Sequence, residues 1–364
     1  MIELNLKAAP VIDKYDWEVL SCLDRTLATV SYTLHGEVFW NFVLCKYTAT
    51  DNLRRRIDVK IGDKKYYDDI CKRAGLELAL SKLSRNGAFD FIIKNLLAGA
   101  YPIYIINDKK RPGSKHYQVK NHGFFVLIYG YDEASDEFLT YDLPLDKEFW
   151  KTENNANGIV YERQRIKRQT LFSYSDRNFL PRYEILEKVT GINTGDFCSC
   201  FILKDNHNPS TEAATELLAT ELKSIIADHD EHKKYVEALL GEFLKAFDTR
   251  YSAYTNIKLD DIQKIEEKDT EGVKSLLFYP YEWQVVCWHE AHIKMLKKTL
   301  PFIGLPVSDG LEVLYGKHQM IRLELIKGII RHDVVGLAKT TAKVAGLLDD
   351  AVICYGRILE DLRR

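Results

Sequence analysis

The amino-acid sequence predicts an α+β N-terminal domain followed by an all-helical C-terminal domain. The chain has 364 residues, more than one hydrophobic core usually serves, so we expect two domains at residues 1–205 and 206–364. The first half alternates short helical patterns with apolar, β-branched and aromatic runs bounded by turn residues. From about Ser210 onward, apolar residues recur every three or four positions, at Leu217, Leu218, Leu222, Ile225 and Ile226.

The boundary between the two domains falls in a polar loop at residues 204–210. Pro209 stops the preceding strand because it lacks a backbone N–H group, and the Ser210 hydroxyl can cap the next helix. We expect helices beyond this loop.

Composition and charge are those of an ordinary folded protein. Hydrophobic residues make up 46% and charged residues 29% of the chain, and a net charge of −2 supplies no basic field for nucleic acid or membrane. No apolar stretch approaches the ~20 residues of a membrane span, and the N-terminus lacks a signal pattern. Seven scattered cysteines suit free thiols in a reducing compartment. We therefore expect a cytoplasmic protein with no nucleic-acid or membrane partner.

The N-terminal domain opens with a helix that begins at Cys22 and ends near Gly36. One face of this helix is apolar and comprises Leu23, Leu27, Val30 and Leu34. Beyond it the sequence predicts a helix at residues 88–97, a strand at 101–106, and hairpin strands at 122–129 and 137–141.

Cys22 is the candidate nucleophile because it opens a helix. A cysteine reacts as its thiolate, and the positive end of a helix dipole together with a nearby imidazole lowers the thiol pKa enough to supply one. The free N–H groups of the first turn also suit the oxyanion formed when a thioester or amide is attacked. The alternative interpretation of Cys22 is a small buried hydrophobic residue.

His122 is the candidate base. It opens a strand whose body, residues 124–129, is apolar throughout, as expected of a central strand covered on both faces. His35 is excluded as a partner because it lies 13 residues along the same helix as Cys22, about 20 Å away. The alternative interpretation of His122 is a structural polar cap at a strand start.

Asp142 is the candidate group that orients the histidine. It closes the returning strand of the hairpin, so its carboxylate can accept a hydrogen bond from His122. A symmetric turn pairs Asp142 with Phe125, which faces the opposite side from His122, so a bulge or a strand end must bring the carboxylate round. Asp132 and Asp146 are the alternative carboxylates, and a solvated strand end is the simplest interpretation of Asp142.

These residues form a pattern that resembles a known family. Its motifs are Ser21-Cys22-Leu23, Gly99-Ala100-Tyr101-Pro102-Ile103, the run from His122-Gly123-Phe124 to Gly130-Tyr131-Asp132, and Tyr141-Asp142-Leu143-Pro144. Over about residues 15 to 150 the chain resembles the butirosin biosynthesis protein H family and, more distantly, the bacterial peptidases that cut after double-glycine leaders. Both have papain-like folds. The segment from Phe278 to Leu296 and the closing helices look like the helical C-terminal part of the butirosin-type proteins.

The resemblance implies a papain-like catalytic domain, a helical domain that covers or extends its cleft, and acyltransferase activity. The family's founding member moves an aminoacyl group from the pantetheine thioester of a carrier protein to an amine on an aminoglycoside. Carried over by position, Cys22 takes the acyl group, His122 accepts and returns the proton, and Asp142 holds His122. The implied partners are an acyl carrier protein or other pantetheine thioester donor and a small-molecule amine acceptor in specialised-metabolite biosynthesis, with no cofactor and no metal.

The segment before the cysteine departs from the peptidase pattern. The peptidases place a glutamine about five residues before the cysteine as an oxyanion donor, whereas this chain has Asp16 to Ser21 there, without an evident amide donor. This departure favours acyl transfer over peptide cleavage. A cysteine peptidase or amide hydrolase, and a non-catalytic papain-like protein that binds a partner, are the alternative functions.

The remaining polar clusters are interpreted as structural. The run Trp288-His289-Glu290-Ala291-His292 has its histidines three residues apart instead of four, so it misses the zinc-protease spacing. Cys198 and Cys200 lack a second cysteine pair at metal spacing. We expect His229 and His232, in an acidic helical stretch, to face water.

Three basic runs, at residues 54–56, 109–111 and 163–168, are interpreted as solvated surface. Carrier proteins are typically acidic, so one of these runs is a candidate docking patch. No glycine-rich phosphate loop occurs, so nothing indicates ATP or NAD.

Overall fold

All strands among the described residues lie in the first part of the chain, and only helices follow as regular elements. A computed structural model describes residues 1–7, 22–39, 71–72, 74–84, 87–112, 118, 123–142, 162–174, 197–206, 211–254, 290, 292–331 and 333–363. The described residues divide into two compact units, the first ending at Asn206 and the second beginning at Thr211. The predicted order, mixed α and β followed by helices, is confirmed.

The first unit is built on a seven-stranded antiparallel sheet. Its strands are β1 (Ile2–Glu3), β2 (Leu76–Ser84), β3 (Tyr101–Asn107), β4 (Gly123–Asp132), β5 (Glu137–Asp142), β6 (Glu162–Lys167) and β7 (Phe197–Asp205). They lie in the order β2-β7-β3-β4-β5-β6, and β1 pairs with β4. The two strands predicted from apolar runs, β3 and β4, therefore lie in the middle of the sheet, and every residue of β3 is buried.

One face of the sheet packs against α2 (Ala88–Leu97) and α3 (Arg168–Ser173). α2 begins and ends at the predicted residues, and Gly99 follows it with a positive φ of 75°, which glycine adopts without strain. The core on this face includes Ile92, Leu96, Tyr104, Phe124, Phe138 and Leu171. Burial of these side chains fixes which way β3, β4 and β5 face.

The other face of the sheet is covered by α1 (Cys22–His35), which ends where Gly36 adopts a φ of 60°. Residues 5–7 cross this same face. The Lys7 N–H donates to Thr33 Oγ1 of α1 at 3.0 Å, and the Tyr101 hydroxyl of β3 donates to the Asn5 carbonyl at 2.6 Å. The predicted apolar face of α1 is confirmed at Leu23, Leu27 and Val30, which are buried.

The β4–β5 hairpin contains a bulge that decides which residues of β4 share a face with Asp142. The pairing shifts by one residue between Ile128 and Gly130, so that Tyr141 pairs with Leu127. Continued by one residue, this register sets Asp142 beside Val126, which points toward the side of α2. The bulge that the sequence required for Asp142 to leave the side of Phe125 is therefore present.

The described part of the second unit consists of helices. Its long helices are α4 (Thr211–Ala227), α5 (His229–Tyr254), α6 (Asp309–Arg331) and α7 (Val334–Asp361), and a shorter helical segment spans residues 292–299. α7 packs against α4, α5 and α6. It begins after Asp333, whose carboxylate accepts a hydrogen bond from the Gly336 N–H at 2.8 Å. None of the helices that the structure describes combines the length and apolar character needed to cross a membrane.

Candidate active site

Cys22 is the first residue of α1, where the sequence predicts it. Its backbone lies among the unpaired N–H groups of the helix start, a position that favours a thiolate and a nearby oxyanion. The Cys22 side chain itself is outside the described part of the chain. Asp24 and Arg25, in the same first turn, are 0% and 8% exposed. A buried cation and a buried anion therefore accompany the candidate nucleophile within one helical turn.

The start of α1 lies near the end of β5. Burial raises the pKa of the Tyr141 hydroxyl, one residue before Asp142, while the charges of Arg163 and Arg25 lower it. Arg25 is therefore within electrostatic reach of the last residues of β5, on the face that α1 covers. With its pKa raised, the Tyr141 hydroxyl keeps its proton at neutral pH and can donate a hydrogen bond there.

His122 lies outside the described residues, so its role as the base stays a prediction. β4 begins at the next residue, Gly123, which pairs with Asn107 at the end of β3. β5 ends at Asp142, on the other side of β4. Gly123 and Asp142 therefore belong to the same end of the sheet, as the hairpin interpretation requires.

Asp142 is bound by Arg111. Arg111 Nη1 donates to Asp142 Oδ2 at 2.5 Å, and Arg111 Nε lies 2.8 Å from Asp108 Oδ1. The guanidinium also stacks on the Phe124 ring, 4.4 Å from its centroid. The side chains of Arg111, Asp108 and Asp142 are only 2%, 5% and 7% exposed. Two buried carboxylates thus compensate one buried guanidinium, and removal of the cation would take this partner from both anions.

Asp142 and α1 lie on opposite faces of the sheet. Asp142 points with Phe124 toward the side of α2, whereas α1 shares the face of Tyr101 and Tyr141. A hydrogen bond from His122 to Asp142 stays a prediction. Because Asp142 and α1 lie on opposite faces, a site that contains both Asp142 and the Cys22 thiol would have to extend past the end of the sheet. Of the three predicted site residues, Asp142 is the one whose side chain the structure describes, and it is brought together with Arg111.

Of the two alternative carboxylates, the structure describes Asp132, which lies far from the start of β4. Asp132 is the last residue of the ten-residue β4, about 30 Å from Gly123 at its start. A hydrogen bond from Arg165, 3.0 Å long, lowers the pKa of Asp132. Asp146 lies outside the described residues. Asp132 therefore stabilises the hairpin turn and does not reach the start of β4.

Three of the four cations in the basic run at residues 163–168 are paired with carboxylates of the β4–β5 hairpin, and the fourth, Arg163, donates to the Leu6 carbonyl. Its ion pairs are Arg165 with Asp132 at 3.0 Å, Lys167 with Glu137 at 3.2 Å and Arg168 with Asp136 at 2.9 Å. Paired in this way, the run offers little free positive charge to an acidic carrier protein. The interpretation of run 109–111 as solvated surface is wrong for Arg111, which is buried because two carboxylates surround it. Run 54–56 lies outside the described residues.

The second unit buries three histidines, His232, His292 and His318, which are 5%, 2% and 0% exposed. The prediction that His232 faces water is therefore wrong. Burial lowers the pKa of His292 to about 3, helped by the charges of His232 and His318, and burial lowers the pKa of His318 to about 4. His292 Nδ1 and the Tyr355 hydroxyl are hydrogen-bonded at 2.8 Å.

The burial of His318 had a signal in the sequence. Leu314 lies four residues before it and Ile321 three residues after it, and both are buried on the same stripe of α6. A histidine on an apolar helical stripe is expected to be buried. His229, by contrast, is partly exposed, with a side chain that is 17% exposed, and its Nε2 lies 2.8 Å from Asp349 Oδ1.

A metal centre is not indicated in this part of the chain. His289 of the zinc-like run lies outside the described residues, and His292 is engaged by Tyr355. Among the residues that the structure describes, no group of three or more histidine, cysteine or acidic side chains could hold a metal ion. Cys200 is a buried cysteine of β7 that forms no disulfide, and the Cys198 side chain is outside the described part of the chain.

No family model and no curated protein sequence matches this chain. The likeness to the butirosin-type proteins therefore rests on the motif residues alone. Two of those motifs coincide with element boundaries, since Cys22 begins α1 and Asp142 ends β5.

Proposed function

We propose that this chain is a cysteine-dependent acyltransferase with a papain-like N-terminal domain, which takes an acyl or aminoacyl group from a pantetheine thioester and passes it to an amine. The observation that carries the proposal is the start of α1 at Cys22, on a helix that packs against β4 and β7. β4 is the strand that directly follows His122 in the chain. A thiol at a helix start, beside the strand that follows a histidine, supports nucleophilic chemistry.

The proposed reaction has two transfers that balance through the imidazole. The Cys22 thiolate attacks the thioester carbonyl, the bond from carbonyl carbon to pantetheine sulfur breaks, and pantetheine leaves as a thiol with a proton from His122. The acceptor amine then attacks the Cys22 thioester and gives a proton to His122. Cys22 leaves as a thiolate, and the amide product is released. No net oxidation or reduction occurs.

Acyl transfer is favoured over peptide cleavage by the segment before Cys22. A glutamine side chain there would stabilise the oxyanion of an attacked amide, and the chain has none between Asp16 and Ser21. A thioester is more reactive than an amide, so backbone N–H groups at the start of α1 provide a sufficient oxyanion site for it. The carrier protein and the amine acceptor follow from the family resemblance and belong to the proposal.

The test is a mass measurement on the intact protein after incubation with an acyl-pantetheine carrier protein. We expect a mass increase equal to the acyl group in the wild-type chain and none in Cys22→Ala. Cys71→Ala is the matched control, because Cys71 is a buried thiol that is not in a disulfide and is not one of the proposed site residues. Addition of an amine should discharge the adduct.

Two results would overturn the proposal. The first is the absence of an adduct with any thioester donor while Cys22→Ala keeps full biological function. The second is an adduct that survives Cys22→Ala and is lost in Cys71→Ala. Release of the free acid at the same rate with and without amine would instead assign hydrolysis to the same residues.

A second function, a non-catalytic papain-like protein that binds a partner, is favoured by the Arg111–Asp142 ion pair. Asp142 is held at 2.5 Å by a buried guanidinium on the face away from α1. Under this interpretation Asp142 stabilises the sheet and orients no imidazole. Asp142→Asn separates the two functions, because the acyltransferase loses transfer rate at unchanged donor binding, whereas the binding protein loses only stability.

A further inference from the structure

Two ion pairs lie on the outer face of the helix pair formed by α6 and α7. Lys317 Nζ is 2.6 Å from Asp350 Oδ2, and Lys343 Nζ is 2.8 Å from Glu324 Oε2. The partner number on α7 falls as the number on α6 rises, so the two helices are antiparallel. The four side chains are 40% to 56% exposed, so both pairs face solvent.

Large apolar side chains flank these ion pairs. Eight large apolar side chains are exposed among the described residues, and four of them lie on this face: Val313, Met320 and Leu323 of α6 and Ile353 of α7. Each lies within four residues of an ion-paired residue of its own helix, on the side away from the buried stripe. Single exposed apolar residues are normal, whereas a contiguous apolar face is typical of an interaction surface.

The α6 part of this face is complementary to itself in shape. Val313, Gly316, Met320 and Leu323 are separated by three, four and three residues, the spacing of a seam that packs against another helix. A Cβ atom on Gly316 would have no atom of the described residues within 4 Å, so the seam has a gap there. A two-fold rotation about an axis perpendicular to α6 places Met320 of each copy in the Gly316 gap of the other, and Val313 against Leu323.

The charges of the face are complementary under the same rotation. α6 supplies the cation of one ion pair and the anion of the other. The rotation therefore places Lys317 opposite Glu324 of a second copy, and Asp350 opposite Lys343. Each charge keeps its own partner and meets an opposite charge across the interface. A partner whose surface carries one sign of charge would instead meet like charges here, which favours a second copy of this chain.

The face is large enough for a dimer. α6 has 23 residues and α7 has 28. At 1.5 Å per residue and about 10 Å between axes, two such helices present roughly 35 Å by 20 Å, or ~700 Å², close to the ~800 Å² per partner of a standard interface. We propose that two copies of this chain form a two-fold dimer through the α6–α7 face, with α6 antiparallel to α6 of the second copy. This dimer does not depend on the proposed thiol chemistry.

The first experiment is sedimentation velocity of the full chain at concentrations from about 1 to 200 μM. We expect a monomer–dimer equilibrium, and Met320→Lys should raise its Kd at least about tenfold because a lysine would be buried in the seam. Leu97→Lys is the matched control, because Leu97 is 70% exposed and lies in the sheet unit. Both replaced side chains are exposed, so both variants should keep the wild-type circular dichroism spectrum.

The second experiment tests the orientation of the two copies. Lys317→Glu places a carboxylate opposite Glu324 of the second copy, and Glu324→Lys places an ammonium group opposite Lys317. Each variant alone should therefore dimerise more weakly than the wild type, whereas the equimolar mixture should regain the dimer because opposite charges then meet. Loss of the exposed ion pair within each chain should change monomer stability little.

Three results would count against the dimer. A wild-type chain that stays monomeric over the whole concentration range would overturn it and leave the face to a different protein. Equal Kd values for Met320→Lys and Leu97→Lys would place the contact elsewhere. A mixture of the two charge variants that dimerises no better than either alone would overturn the antiparallel arrangement of α6, and this result also decides if Met320→Lys does not fold.

Discussion

The two units of this protein bury ionisable side chains in different ways. The sheet unit buries Arg111 as a cation and compensates it with Asp108 and Asp142. The helical unit buries His292 and His318, whose pKa values fall to about 3 and about 4, as neutral imidazoles. The first arrangement breaks when a partner is removed, and the second breaks when a proton is added.

The difference follows from the side chains and not from the type of fold. The helical unit also contains a compensated buried pair, Arg322 with Glu290 at 2.9 Å. A guanidinium cannot lose its proton in a protein, so it must be paired when buried. An imidazole releases its proton near neutral pH, so burial without a carboxylate costs far less.

The largest expected effect comes from removing Arg111, the buried cation of the sheet unit. Arg111→Met leaves Asp108 and Asp142 buried without their cation, and we expect a loss of about 3–5 kcal/mol in the free energy of unfolding, measured by urea denaturation. Arg165→Met is the matched control, because Arg165 pairs with Asp132 at an exposed position and should change stability little. Equal losses in the two variants would show that Arg111 is not specially compensated.

The next largest effect is on the stability of the helical unit, which buries neutral histidines, and it depends on pH. The folded-state pKa values of His292 and His318 lie below the ordinary 6.5, so the unfolded chain binds more protons than the folded chain between those values. Stability is therefore full above pH 6.5 and falls as the pH drops toward 4. We expect a loss of up to about 2 kcal/mol per histidine at pH 5, from urea unfolding followed by helical circular dichroism.

A substitution at His318 tests whether the buried histidines, and not other titrating groups, cause the loss of stability at low pH. His318→Leu should flatten the fall in stability between pH 6.5 and 5, since it removes one buried imidazole. His229→Gln is the control, because His229 lies beside Asp349 near the surface, and it should leave the slope between pH 6.5 and 5 steep. An identical slope in wild type and His318→Leu would contradict the predicted role of His318.

A glycine substitution compares the packing of the two units. A Cβ atom on Gly130 would lie 2.5 Å from the Ile2 carbonyl oxygen and 2.8 Å from Leu139 Cδ1, so Gly130→Ala should destabilise the sheet unit by about 1–3 kcal/mol. Gly346 lies on an exposed part of α7 with no atom within 4 Å of such a Cβ. Gly346→Ala should therefore stabilise the chain by up to about 1 kcal/mol. Thermal unfolding of both variants checks the opposite signs.

The smallest effect tests the start of α7. Asp333→Ala removes the carboxylate that accepts from the Gly336 N–H, and we expect a loss of about 1 kcal/mol. Asp333→Ser keeps a capping oxygen and should restore most of the loss. Hydrogen exchange of the first turn of α7 reports the change, and exchange that is equally fast in both variants would mean that the cap contributes nothing.

Local sequence patterns predicted the elements close to the candidate site. The start of α1 at Cys22, both ends of α2 and the β4–β5 hairpin all follow from helical periodicity and turn residues within about 15 positions. The residue spacing also predicted that Asp142 could share a face with His122 only if the hairpin contained a bulge or a strand ended there. Periodicity could not show that the bulge lies between Ile128 and Gly130, because its place depends on packing across the sheet.

Features that depend on distant partners were not predicted. β2 pairs along its whole length with β7, which is more than 100 residues away in the chain. No local sequence pattern predicted this pairing. Arg111 lies in a basic loop that resembles a solvated surface, and its burial depends on Asp142, 31 residues later. Charge runs predict exposure only where the fold brings no opposite charge to them. The pairing of His122 with Asp142 stays a prediction.

The bulge between Ile128 and Gly130 sets rules for insertions and deletions in this hairpin. Turn residues 133–136 lie beyond it, so a longer turn that keeps the last pair of β4 and β5 leaves Asp142 on its present side. Loss of the single extra residue of β4 at the bulge would also leave Asp142 on this side, because the pairs Ile128–Thr140 and Gly130–Leu139 would then follow each other directly. The alternation along β5 therefore determines which helix of the sheet unit Asp142 faces, and the bulge determines which residues of β4 share that face with it.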